Sequence, residues 1–328
     1  MSLATGVGSM PGTDLDDAMS TIVGELPDFV HLPELPARGA AAAMTGRATA
    51  LLVDLAVDLQ PAGWRLTDAS GLDHRRAVST LSQDLDVLEE HTQGYTGPLK
   101  IQVTGPWTLA ATVERPRGDR ALADHGARRE LAQSLALGLA GHVADVLRRV
   151  PGADVVVQVD EPALPSVLAG NVPTASGFSR HRGVSAAEAS EALAWATASV
   201  SGAGARPVVH CCASGVPVAL LAGAGFSAVS FDLSMLERAE SAAWAAVYGG
   251  GTDLWPGVVP STEPGLAPSD SALVSRVLRF LESLDADPQA AVDRVVVTPT
   301  CGLAGASPAW ARRALALTST VAARLTAV

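Results

Sequence analysis

Eight short runs rich in β-branched residues recur along this 328-residue chain, separated by longer Ala- and Leu-rich stretches, and that alternation leaves few folds open. Strands that alternate with helices pair in parallel, because parallel neighbours need a crossover connection of a dozen residues or more. The runs cover residues 5–9, 28–32, 99–105, 154–160, 206–212, 228–233, 253–259 and 294–300. In the fourth, Val155, Val156, Val157 and Val159 make both faces apolar, as in a strand with helices outside and a barrel core inside. Helices are expected over 121–149, 186–200, 217–222, 271–284 and 308–327, and residues 37–97, the least regular stretch, have room for extra helices or an insertion. Eight β/α units in a chain of this length give a single α/β domain over residues 1–328, a (β/α)8 TIM barrel, with a doubly wound open sheet as the competing arrangement.

Composition narrows the environment and the partners. Apolar residues are 48% of the chain but aromatics only 4%, so the core is built of Ala, Val and Leu. A formal net charge of −11 with no basic run disfavours nucleic acid and anionic membranes as partners. The start, Met-Ser-Leu-Ala-Thr-Gly, lacks a basic segment followed by an apolar one, and the Ala/Leu-rich stretches are interrupted by polar residues, so a soluble cytoplasmic protein is expected. Three cysteines, two of them adjacent, make no framework of paired disulfides and in a reducing compartment are more often buried, catalytic or metal-binding.

In a (β/α)8 barrel the loops after the strands converge on one mouth, so the residues that end each run matter most. They are Ser9, Glu34, Gly105-Pro106-Trp107-Thr108, Asp160-Glu161-Pro162, His210-Cys211-Cys212, Asp232, Ser261-Thr262 and Cys301-Gly302. His210 and Cys212 alternate along one strand end and therefore face the same side, where they can share a metal, while Cys211 faces away into packing. Alone, such a pair reads more readily as a core histidine and small buried cysteines. Cys301, at the end of another run, shifts the balance toward zinc, whose preferred site is tetrahedral with nitrogen and sulfur ligands. A fourth, oxygen ligand is expected from Asp232, with Glu237 as the competing choice and a helix cap as the alternative role of Asp232.

Taken together, Gly8-Ser9, Thr104-Gly105-Pro106-x-Thr108, Asp160-Glu161-Pro162-Ala163, His210-x-Cys212 and Cys301-Gly302-Leu303 resemble the catalytic C-terminal barrel of cobalamin-independent methionine synthase and, more distantly, the uroporphyrinogen decarboxylase-like barrels. The resemblance covers most of the chain. It implies Zn2+ held by His210, Cys212, Cys301 and an acidic residue at the position of Asp232, with homocysteine as methyl acceptor. It further implies that Gly8 and Ser9 hold the homocysteine carboxylate and that Glu34 and Asp160 hold its ammonium group, a match of charge that the chemistry supports.

Three departures bear on the reaction. The acidic ligand of the family is usually Glu, one methylene longer than Asp232. The family's N-terminal half, which helps bind the polyglutamylated folate, has no counterpart in this sequence. A histidine that serves proton transfer in folate-using members aligns roughly with Thr262. Methyl transfer to sulfur needs a thiolate, which zinc supplies at neutral pH, and a site of two cysteinates and one carboxylate carries a formal charge of about −1. Methyltetrahydrofolate leaves as an amine that must be protonated. The missing folate-binding half and the missing histidine together favour a methyl-corrinoid donor, delivered by a corrinoid protein or methylcobalamin. The competing readings are a methyltransferase for another small thiol such as coenzyme M, and a non-catalytic zinc- or thiol-binding barrel. A porphyrinogen decarboxylase fits less well, because it needs cationic groups where these strand ends are acidic.

Overall fold

The apolar runs are parallel strands of one curled sheet in the computed structural model, which describes residues 2–287 and 291–327, without the side chain of Arg238. In chain order the sheet strands are β1 (Leu3–Ala4), β2 (Val30–His31), β5 (Pro98–Thr104), β6 (Asp154–Asp160), β7 (Arg206–Cys211), β8 (Ala228–Asp232), β9 (Asp253–Val259) and β10 (Val296–Pro299). Their spatial order is β1-β10-β9-β8-β7-β6-β5-β2, so the first two strands are the two edges. A parallel bridge between Ser9 and Glu34 joins those edges, with Met10 N donating to Glu34 O at 2.9 Å and Glu34 N to Gly8 O at 3.2 Å. The arrangement is the (β/α)8 barrel, not the open sheet, because an open sheet leaves its edges apart.

Helices α1 (Leu15–Glu25), α5 (His125–Arg149), α7 (Ala186–Gly202), α10 (Asp270–Ser283) and α11 (Pro308–Thr326) begin at side-chain caps. Asp14, Asp124, Ser185, Ser269 and Ser307 each accept from the backbone N–H three residues on, which satisfies one of the otherwise orphaned donors of the first turn. The shorter helices are α2 (Met44–Thr49), α4 (Pro106–Thr112), α6 (Leu164–Leu168), α8 (Val218–Gly223) and α9 (Ser241–Gly249). The irregular stretch after β2 holds α2, an antiparallel hairpin of β3 (Ala56–Gln60) and β4 (Gly63–Thr67), and the long α3 (Leu72–His91). Among the described residues no helix is long and apolar enough to cross a membrane.

Burial falls into two cores. The larger lies between helices and sheet and is built mainly of Ala, Val and Leu, as the scarcity of aromatics requires. A second, smaller cluster of Phe29, Val156, Val208, Ala228, Trp255 and Val296 fills the lower barrel interior, with Phe29 and Trp255 packed edge to face at 5.5 Å between ring centres. Above it the inward positions turn polar. Lys100 and Gln102 on β5 and Gln158 on β6 are all buried, and Lys100 Nζ and Gln158 Nε2 both donate to Val7 O at 2.8 Å. This polar layer is the floor of the mouth.

Candidate metal and substrate site

Register across the sheet brings the chemistry together. Thr104 pairs with Asp160, Asp160 with His210, and His210 with Ser230, so one row of inward residues crosses four neighbouring strands at their carboxyl ends. His210 is buried, and its Nδ1 lies 2.9 Å from Ser230 Oγ. With the proton on Nδ1 donated to that hydroxyl, Nε2 keeps its lone pair, and Nε2 has no hydrogen-bond partner among the described residues. Cys212 Sγ and Cys301 Sγ are 3.0 Å apart, hydrogen-bonded and without a disulfide between them. The hydrogen bond from Cys212, reinforced by His210, holds the Cys301 thiol well below its ordinary value although burial opposes this, and the same bond drives Cys212 up. One imidazole nitrogen and two sulfurs thus lie within 4.8 Å of one another.

That donor set fits zinc. A bound zinc has Zn–S of about 2.3 Å, which sets two tetrahedral sulfurs about 3.8 Å apart, and the observed pair reaches that with a movement of less than about 1 Å. A buried imidazole nitrogen left without a partner is the orphan such an ion satisfies. Cys211, one residue along, faces outward into the sheet's helical side, and burial pushes its thiol up to about 12. The expected fourth ligand is not brought to this group. Asp232 Oδ1 accepts from Ser234 N at 2.8 Å and Ser234 Oγ at 2.6 Å, capping a single turn over Leu233–Met235. Glu237 is exposed, with its backbone N–H on Glu240. Asp232 is one methylene shorter than Glu, and the turn that follows engages its Oδ1.

The same cluster opens into a cavity of about 230 Å³ whose wall includes Gly8, Ser9, Glu34, Asp160, Cys301 and Gly302. Glu34 and Asp160 are buried. Burial raises Glu34 above the usual carboxylate range, although Arg47 and Lys100 oppose it. Burial and the neighbouring Glu34 raise Asp160 further, although Lys100 and the Gln158 amide oppose that. Gln158 Nε2 donates to Asp160 Oδ1 at 2.7 Å. Lys100, beneath both acids, is pushed down to about 8 by its burial despite their attraction. On the other wall a Cβ at Gly302 would overlap Ser9 Oγ, and Leu303 N donates to Ser9 O at 2.7 Å, so a side chain at 302 would turn the Ser9 hydroxyl aside where the Cys301 loop closes over it.

Glu161 ties two of the sequence segments to each other. Its carboxylate accepts from Trp107 N at 2.9 Å, Thr108 N at 2.8 Å and Thr108 Oγ1 at 2.7 Å, while burial lifts it to about 7. Gly105 has no room for a Cβ, which would overlap the Glu161 carboxylate. This explains the Thr104-Gly105-Pro106-x-Thr108 and Asp160-Glu161-Pro162-Ala163 segments as one packed unit. Sequence reasoning missed Lys100, Gln102, Gln158, Arg47 and Asp84, because charged and amide residues read as surface unless the register that buries them is known.

Fold and site define a (β/α)8-barrel protein with a sulfur- and imidazole-lined centre at the strand ends. The sequence model described as "Cobalamin-independent synthase, Catalytic domain" matches residues 1–324, and the chain belongs to that family. A comparison with curated protein sequences returns no significant match. The B12-independent methionine synthase from Shewanella sp. W3-18-1, solved with selenomethionine, shares the fold with a TM-score of 0.60 at 13% identity over 98% of this chain and 97% of that one. Weaker likenesses are a β-mannanase from the blue mussel Mytilus edulis (TM-score 0.48, 11% identity, 98% and 92% coverage) and a tryptophan synthase complex from Pyrococcus furiosus (TM-score 0.42, 10% identity, 100% and 99% coverage).

The family's cobalamin-independence runs against the methyl-corrinoid donor, and the corrinoid partner, expected from the sequence. That expectation joined a missing folate-binding half to a missing histidine, and the second ground is weak because a leaving amine can take its proton from water or from another acid.

Proposed function

We propose that this chain transfers a methyl group to the thiol of homocysteine, forming methionine, at a zinc centre held by His210, Cys212 and Cys301. The observation that carries the reading is the partnerless His210 Nε2 facing two close sulfurs in a cavity whose opposite wall is acidic. When bound, zinc supplies a Lewis acid that keeps a thiol as the thiolate near neutral pH. Ser230 fixes the tautomer and ring orientation of His210, as a hydroxyl or carbonyl behind a ligating imidazole does. Two thiolates and one imidazole offset the ion's charge completely, so the centre is formally neutral without Asp232. Glu34 and Asp160 receive the ammonium group, which relieves the repulsion and burial that raise both acids. Gly8 and Ser9 receive the carboxylate at the seam of the barrel. These contacts leave the thiol directed at the sulfur cluster and exclude water from the buried wall, so the chain's contribution beyond the ion is orientation.

Metal analysis of wild type and Cys301→Ser, followed by methionine formation from homocysteine and methyltetrahydrofolate, tests this reading. The expected result is one zinc per wild-type chain, lost in the variant, and methionine formed only by the zinc-bearing protein. A wild type that takes up no zinc at stoichiometric concentration would end the thiolate reading.

A further inference from the structure

The segment after β2 carries a buried ion chain that the reaction proposed above leaves unused. Arg47 on α2 has its Nε 3.3 Å from Glu34 Oε1, and its Nη1 donates to Asp84 Oδ2 on α3. Asp84 Oδ1 accepts from Arg38 Nη1 at 2.5 Å. The side chains of Arg47 and Asp84 are 3% and 0% exposed, whereas that of Arg38 is 21% exposed. The segment that holds Arg47 is closely packed on itself and on α5. A Cβ at Gly46 would overlap Ala40 O, one at Gly138 of α5 would overlap Leu51 O, and Ser134 Oγ donates to Val53 O at 2.6 Å. The same segment supplies Pro36, Ala43 and Met44 to the cavity wall, so the ion chain and the wall share one stretch of chain.

The charges beside the acidic wall are shared unevenly. Glu34, Asp160 and Asp84 are buried, with Lys100 and Arg47 buried among them and Arg38 at the solvent edge on the far oxygen of Asp84. His31 and His142, which face Lys100 and Arg47, are held neutral by burial. Three acids thus face three cations, and Asp84 takes the short contact with Arg47 whereas Glu34 has only the one at 3.3 Å. Asp84 therefore holds the Arg47 guanidinium away from Glu34 and leaves that carboxylate to an ammonium group between Glu34 and Asp160. Without Asp84, Arg47 would turn wholly to Glu34 and occupy the carboxylate the ammonium needs.

We propose that Asp84, acting through Arg47, is a positioning residue that sets the specificity of the cavity: it makes the site select a thiol bearing an α-ammonium group over the same thiol without one. The inference rests on the reading in which Glu34 and Asp160 hold the ammonium of homocysteine.

Calorimetric titration of the zinc-loaded protein with homocysteine and with its desamino analogue, γ-sulfanylbutanoate, tests it on wild type, Asp84→Asn and Arg38→Gln. Wild type is expected to favour homocysteine by at least about tenfold, which corresponds to about 1.4 kcal/mol. In Asp84→Asn that ratio falls about tenfold while the affinity for the analogue is unchanged. In Arg38→Gln, which removes a cation from the far side of Asp84, the ratio stays or rises about twofold, the small size reflecting solvent screening. A purely structural role predicts that both variants weaken both ligands. An unchanged ratio in folded Asp84→Asn overturns the proposal while leaving the ammonium reading intact. If Asp84→Asn does not fold, Arg38→Gln decides, and a fall in its ratio overturns the proposal. A wild type without preference overturns the ammonium reading and this inference together.

Discussion

Replacing Glu161 by Gln takes one oxygen out of a buried contact that has three donors. In the wild type Oε1 accepts from Trp107 N, and Oε2 accepts from both the backbone N–H and the hydroxyl of Thr108. The amide can keep its oxygen on the Thr108 side, but its NH2 then faces the Trp107 N–H, donor against donor. Leaving that buried N–H unpaired costs about 1–3 kcal/mol. An opposing effect comes from charge. Burial lifts Glu161 from 4.5 to about 7, a difference worth about 3 kcal/mol between the neutral and ionised forms. The native state therefore holds this proton more tightly than the unfolded chain. The stability that follows is complete below about pH 4.5 and is lost as the pH rises through about 7. Gln does not titrate. Urea unfolding of both proteins, followed by tryptophan fluorescence because Trp107 sits on the contact, should show Glu161→Gln less stable at pH 5 by about 1–3 kcal/mol. By pH 8 the gap should shrink or reverse by about 3 kcal/mol. Other titrating groups are common to both proteins and drop out of the difference. A gap that stays constant from pH 5 to pH 8 would refute the assignment of a buried, raised carboxyl.

Three further outcomes are expected at the centre itself. Asp232→Asn retains one zinc per chain, because its carboxylate caps a turn; a zinc affinity reduced more than about tenfold in competition with a chelator would put that oxygen on the metal. Ser230→Ala frees the His210 ring and weakens zinc binding by about tenfold, read by the same competition, and an unchanged affinity would show that the hydroxyl does not orient the ligand. Gly302→Ala drives a methyl group into Ser9 Oγ, so homocysteine affinity should fall by about tenfold with zinc content intact; full retention of affinity would remove Ser9 from the substrate contact.

The long strands could be read in advance and the short ones could not. The limits of β6 and β9 follow from runs such as Val155 to Val159, where every position is buried and hydropathy alone marks the ends. The strand expected over residues 5–9 is instead Leu3–Ala4 followed by an extended segment, because Gly6 and Gly8 pack against His31 and Gln102 through missing side chains that no hydropathy pattern registers. The hairpin of β3 and β4 was hidden by its charged outer positions, Asp58 and Arg65, which blur the alternation around Val57, Trp64 and Leu66. At the site, cysteine and histidine stood out because few functions other than packing or ligation explain them at strand ends. Lys100 and Asp84 did not, since only the closed barrel and the packing of α3 turn ordinary charged residues into buried counterions. Asp232 differs again: its position at a strand end suits a ligand and a cap equally, and the two-residue spacing to Ser234 puts its Oδ1 in the cap.

The seam of the barrel gives this cavity a mechanical character. Between β1 and β2 the wall is fastened by a single residue pair, Ser9 with Glu34, while β5 and β6 are laced along seven. The bridged pair, Ser9 and Glu34, also lines the cavity. A molecule held by both acts as a rivet across the weakest joint, so loading the site and tightening the barrel become one event, and the free energy of the first is drawn on by the second. Admission of a ligand then coincides with loosening of the seam. Slowed hydrogen exchange at the amides of Met10 and Glu34 would be the signature of the rivet in place.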